Sequence, residues 1–259
     1  MNQKEYLYIN TSDNKLQVFF AMLAYIEVYS DEYIYIYDEH NKQLLVECLK
    51  FIDFKMERKS GLSVEYQTVS IDINHSSPQT SISEQTVAPI VFPKIISDKF
   101  HLPFDKKINK IYFRGLLTKK RLIETMILFL NIIDLRAIFI LCKNILKGRR
   151  DFIIDTKKIF INFSKRGRQI QFKYLDVDYY EEMSRYKYVF CPVGDFIWTY
   201  RFFEAIQVGS MPLSKHYTDS YASFHYLNRL PDFTKDFSEM THKNISLLKE
   251  KFHLHKTSF

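Results

Sequence analysis

Apolar and polar positions along the chain switch repeatedly between a two-residue and a three-to-four-residue period. Tyr6–Ile9 predicts a first strand, and the polar stretch Asn10–Asn14 predicts a turn rich in residues that cap helices. Leu16, Phe19, Phe20, Leu23 and Ile26 then recur at helical spacing, and E-Y-I-Y-I-Y from Glu32 to Tyr37 alternates as a second strand. After a loop at Asp38–Asn41, Leu44, Leu45, Cys48, Leu49 and Ile52 form one face of a second helix, and Val64–Ile73 has room for a further strand. This β-α-β-α-β order is that of a parallel sheet with right-handed crossovers.

From Asn74 to Pro89 large apolar groups almost vanish, which predicts a linker or mobile loop and a domain junction, dividing the chain into 1–90 and 91–259. Beyond it, Lys110–Gly115 reads as a strand ending in Arg114 and Gly115. A long segment from Lys119 to Ile145 reads as helix, apolar nearly all round and therefore expected to be buried, with a break at Asn131–Asp134. Phe152–Ile154 and Ile159–Phe163 predict short strands, Asp178–Arg185 a helix, and Thr241–Phe252 a terminal helix packing back across the domains.

The most patterned stretch is Ser184–Leu213. Tyr188–Cys191 is an apolar run stopped by Pro192 and Gly194, as in a strand buried on both faces. A helix follows from about Thr199, closed by Gly209 at a left-handed cap position, and Ser210–Leu213 is the next strand. Ligands of a parallel sheet lie beyond the carboxyl ends of its strands, where a loop entering a helix offers free N–H groups to a phosphate. Arg201 falls in the first helical turn, where a cation opposes the helix dipole and calls for an anion. Glu204 shares its face; a solvated i,i+3 ion pair is the plain alternative for the two.

The runs S-R-Y-K-Y-V-F-C-P-V-G-D and Y-R-F-F-E-A-I-Q-V-G-S-M-P-L resemble the nucleotide-sugar-binding segment of exostosin-like glycosyltransferases over about thirty residues. Much of the R-x-x-E-A-x-x-x-G-x-x-P pattern is also found in O-glucosyltransferase-like and fucosyltransferase-like families. The resemblance implies the GT-B form of α/β fold, two Rossmann-like domains with parallel sheets facing across a cleft, residues 1–90 on the acceptor side and 91–259 binding the donor. It implies that Arg201 meets the donor diphosphate and Glu204 the ribose hydroxyls, with Gly194, Asp195, Thr199 and Tyr200 completing that loop and first turn. The K-I-Y-F-R-G strand is similar to the segment that opens the donor domain in these families, which brings in Arg114 and Gly115. The implied reaction is metal-independent, inverting transfer of a sugar from a nucleoside diphosphate to a hydroxyl of a glycan or glycolipid, with no cofactor. An acceptor base is expected from the first two loops, among Asp13, Asp38, Glu39 and His40, which no spacing separates. Lys215 and His216, just after a strand end, are candidates to reach the sugar.

Composition narrows the partners. A net charge of +7 favours anions such as nucleotides, acidic glycans or a membrane surface. The basic runs Lys143–Arg150 and Lys157–Arg168 are candidates for peripheral membrane contact, with solvated faces as the plain alternative. No nucleic-acid-binding segment is recognisable, so nucleic acid is not an expected partner, although a basic binder of anionic surfaces or a catalytically degenerate scaffold remain competing classes. Cys48, Cys142 and Cys191 lie in apolar patterns without ligand-spaced histidines, which predicts buried reduced thiols and no zinc site. The N-terminal residues lack a signal-peptide core and no run approaches ~18 apolar residues, so a cytoplasmic enzyme is expected.

Overall fold

The computed structural model describes residues 5–11, 16–61, 63–74, 79–83, 85–87, 90–164, 174–194 and 198–256. The chain is a mixed α/β protein of two compact units, Met1–Ile95 with Lys249–Phe259, and Ile96–Leu248. Against an expected boundary after residue 90, the division falls after Ile95 and assigns the last residues to the first unit.

In the first unit, β1 (Glu5–Thr11), α1 (Leu16–Tyr29), β2 (Tyr33–Tyr37), α2 (Lys42–Cys48) and β3 (Lys55–Arg58) build a parallel sheet outward in one direction. The chain then crosses back, so that β4 (Gln67–Asn74) pairs with the other side of β1, Leu7 opposite Gln67. β5 (Gln79–Ile82) and β6 (Gln85–Val87) extend the sheet antiparallel, giving the order β3-β2-β1-β4-β5-β6. One sequence expectation is corrected here, and one strand that the sequence did not announce is added. Between Asn74 and Pro89, expected as a linker, the described residues include a hairpin that continues the sheet; its alternating Thr80 and Ile82 are buried, while the other positions need no large apolar group. β3, K-M-E-R, carries no apolar alternation because it is an edge strand with exposed residues on either side of Met56.

The second unit opens with α3 (Lys94–Phe100), whose first two residues belong to the first unit, and then β7 (Ile108–Gly115), α4 (Lys119–Ile132), α5 (Leu135–Leu146), β8 (Phe152–Asp155) and β9 (Ile159–Phe163). It continues through α6 (Val177–Ser184), β10 (Tyr186–Phe190), α7 (Tyr200–Gln207) and β11 (Met211–Leu213) to α8 (Ser238–Phe252), which carries the chain back to the first unit. The sheet order is β11-β10-β7-β9-β8, parallel except for β8. Its central strand β7 is buried at Ile111, Tyr112 and Phe113, and Phe113 packs among Phe163 and Phe190 with ring centroids 5.8 and 5.9 Å away.

The break between α4 and α5 lies where expected: Ile133 caps α4 in the left-handed conformation and the Asp134 carboxylate accepts from the Ala137 amide to start α5. The expectation that this pair is buried is overturned. Thr125, Leu128, Phe129, Ile132, Ala137 and Leu141 face the core, but Ile123, Leu130, Leu135, Phe139 and Leu146 are exposed. Cys142, on the same outer side, is an exposed thiol, whereas Cys48 and Cys191 are buried as expected. Burial pushes the Cys191 thiol up to about 12, so it is protonated and inert.

Candidate functional site

In the second unit the chain leaves β7 toward β9 on one side and later returns to place β10 on the other. β7 and β10 therefore flank a topological switch point, the position outside the carboxyl ends of an open sheet where loops diverge and ligands fit. β7 ends in Gly115, β10 runs into Cys191–Gly194, and the helices following each, α4 and α7, begin there. Thr118 and Thr199 cap the two helices, their hydroxyls accepting from the Arg121 and Arg201 amides. Thr199 is held further by donating its amide to the Tyr221 hydroxyl at 2.6 Å, and Tyr221 stacks on Phe202 of α7.

Arg201 is 2% exposed although it carries a full charge. Its guanidinium lies over the Phe113 ring at 4.5 Å and Nη2 donates to the Arg114 carbonyl at 2.9 Å, while Nε has no partner among the described residues. Gly115 makes this possible: a Cβ there would stand 2.9 Å from Arg201 Nη2. Arg121 approaches the same glycine, 3.8 Å from that Cβ position, and comes within 3.6 Å of the one at Gly194; Nη1 donates to the Leu116 carbonyl. Two guanidiniums and two glycines thus converge at the strand ends. Ser164, after β9, donates its amide to the Gly115 carbonyl, and its Oγ is buried without a partner among the described residues.

Glu124 completes the rim. Burial raises its carboxyl above the ordinary carboxylate range, against the lowering pull of His216, the Val193 amide and Lys215. His216 Nε2 lies 3.6 Å from Glu124 Oε1, so the residues after β11 do reach the first turns of α4.

Several residues singled out by sequence sit differently. Arg201 and Glu204 are not a solvated ion pair: Glu204 is fully buried, its Oε2 and Oε1 accepting from the Tyr179 and Tyr180 hydroxyls of α6, each at 3.0 Å. Arg114 alternates with Gly115 along β7 and points to the opposite side, toward Asp176 and Glu182 at 3.8 and 3.7 Å. Tyr200 is buried, and Asp195 lies outside the described residues, as does Asp13. Arg121, in the first turn of α4, is drawn to the strand ends, and neither it nor Glu124 nor Ser164 was singled out by the sequence.

In the first unit Asp38 and His40 follow β2. Burial would raise the Asp38 carboxyl, but the Tyr8 hydroxyl, the His40 and Asn41 amides and Lys59 outweigh it and hold it below the ordinary range. It is a turn brace and a weak proton acceptor. His40 is exposed, with Nε2 against the Thr11 carbonyl. Asn41 is fully buried and its amide ties the Ile9 and Ile36 carbonyls, locking the ends of β1 and β2 together. Glu39 is exposed.

No group of three or more histidine, cysteine or acidic side chains among the described residues is placed to hold a metal ion, and no described helix is long and apolar enough to cross a membrane. Compared with protein-family models, with curated proteins and with solved structures, the chain matches none.

Proposed function

We propose that the second unit binds the diphosphate of a nucleoside diphosphate sugar at the β7/β10 switch point, and that the protein is a glycosyltransferase of GT-B type. The sugar passes to a hydroxyl of a glycan or glycolipid. The observation that carries this reading is Arg201: a buried cation at a helix N-terminus, packed against a glycine, with an unpartnered Nε and no carboxylate within an ion-pair distance among the described residues. A buried charge is costly unless an anion compensates it, and two helix N-termini favour the same anion. Arg121 and Lys215 add positive charge around it. Developing negative charge on a leaving diphosphate is stabilised by such fixed donors without help from a metal.

Thermal unfolding with and without UDP, GDP or ADP in EDTA tests the reading. Saturating nucleotide at about a hundred times Kd adds ~2.7 kcal/mol of stability. Arg201→Ala is expected to weaken binding by about 1.5–3 kcal/mol, the strength of a charge-assisted hydrogen bond or two. Protection that is equal for nucleotide and simple salts, or unchanged in the variant, removes the donor site from this place.

A degenerate scaffold is the second reading, and one observation favours it: both oxygens of Glu204, the residue the resemblance assigns to the ribose, are already engaged by tyrosines. Nucleotide binding without transfer to any glycan acceptor is its signature.

A further inference from the structure

α4 and α5 pack on one core and leave their opposite sides bare. On α4, Ile123, Ile127 and Leu130 recur at i, i+4, i+7 and are 60%, 38% and 59% exposed; on α5, Leu135, Phe139 and Leu146 continue the pattern at 74%, 66% and 87%. Both stripes stand about half a turn away from the residues that enter the core, so the two helices present a single apolar face. Along α5 that face runs about 17 Å at 1.5 Å per residue. At the hairpin turn Ile133 adds another exposed apolar side chain.

The same segment holds nearly all of the chain's excess charge. Between Lys119 and Arg150 there are eight lysines and arginines and only two carboxylates, Glu124 and Asp134. Asp134 is occupied, accepting from the Ala137 amide and the Thr156 hydroxyl at 2.9 and 2.6 Å. Beside the turn, an open cleft of about 310 Å³ brings Arg136, Lys157 and Lys158 next to Ile133 and Leu135.

We propose that this face docks the protein on a membrane, lying flat on a bilayer that contains anionic phospholipid. The isoleucine, leucine and phenylalanine side chains enter the boundary of the acyl region, and the flanking cations, with the Arg136–Lys158 cleft, meet lipid phosphates. A second copy of the chain fits less well: a two-fold contact through this surface sets the basic rim against itself. An anionic bilayer supplies both the apolar layer and the opposite charge.

Vesicle flotation tests the proposal. The intact chain is expected to float with vesicles of phosphatidylcholine and phosphatidylglycerol about tenfold more than with phosphatidylcholine alone, and less in high salt. Phe139→Glu combined with Leu146→Glu should reduce flotation by about tenfold or more, and Lys143→Glu should weaken it and its salt dependence. All three positions are exposed, so an unchanged melting temperature and unchanged nucleotide protection separate a lost surface from a lost fold and from failure of the donor site. Absence of flotation by the intact chain, or flotation that the double variant leaves intact, overturns the proposal. So does a vesicle-independent dimer that the double variant converts to a monomer, which would assign the face to a second copy.

Discussion

Glu204 shows how one side chain can be read two ways until its partners are known. Its charge is buried, and its two oxygens draw the Tyr179 and Tyr180 hydroxyls of α6 onto α7. Glu204→Ala removes the carboxylate that accepts from two buried phenols and is expected to cost up to about 2–6 kcal/mol in chemical denaturation, since each buried hydrogen bond lost costs ~1–3 kcal/mol. Glu204→Gln keeps one acceptor and should cost less, with nucleotide affinity changed by under about twofold if bracing is the whole role. A larger loss for nucleotide than for pyrophosphate returns the ribose to this residue. At this scale the sequence was informative where a special conformation or cost marked a residue, as with Arg201 in an apolar helix start, Gly115 at a strand end and Gly209, whose φ is 79°. Arg121, Glu124 and Ser164 carried no such mark. Their place depends on which strands become neighbours, and no local pattern encodes that. Arg114 was legible as a strand residue, but its side followed from register.

Among the elements, strands and helices with a buried face were legible because burial imposes period, and those without one were not. β3 is an exposed edge, and the β5–β6 hairpin is made of Thr, Ser and Gln with a few apolar positions, so composition pointed to a linker. α4 and α5 err in the other direction: their apolar residues run all round, but a two-sided helix is read as buried only if something covers both sides. The turn between them holds a measurable tension. Ile133 is β-branched, has φ 57° and is 79% exposed, so it carries left-handed strain without packing to offset it. Ile133→Gly should therefore raise stability by about 1 kcal/mol in urea unfolding, glycine being the usual residue at such a cap. The same variant should bind anionic vesicles more weakly. A stabilised variant with undiminished flotation would mean that the turn serves neither.

At the scale of the molecule, two largely parallel sheets were expected, and a terminal helix was expected to pack back across the domains; the antiparallel strands β5, β6 and β8 and the membership of the last residues in the first unit were not. That tail makes the first unit sensitive to acid. His253 is buried beside Lys94, Lys249 and His255, and burial first, then these charges, lower its imidazole from 6.5 to about 4. Between those values the unfolded chain takes up a proton that the folded chain refuses, so stability falls as pH drops from about 6.5 toward 4 and is unaffected above. The full loss is about 3 kcal/mol, and His253→Leu should flatten the dependence of the melting temperature on pH across that window. The route of the chain has a further consequence for its birth on the ribosome. Phe252 packs on Phe92, and the Phe92 amide donates to the Phe252 carbonyl at 3.0 Å. The strands around Phe92 are synthesised early but wait for residues 96–248 to be made, roughly ten to thirty seconds at ordinary elongation rates, before this partner arrives. The second unit, drawn from one uninterrupted stretch, has all its residues first; the half of the protein that is begun earliest is the one completed last.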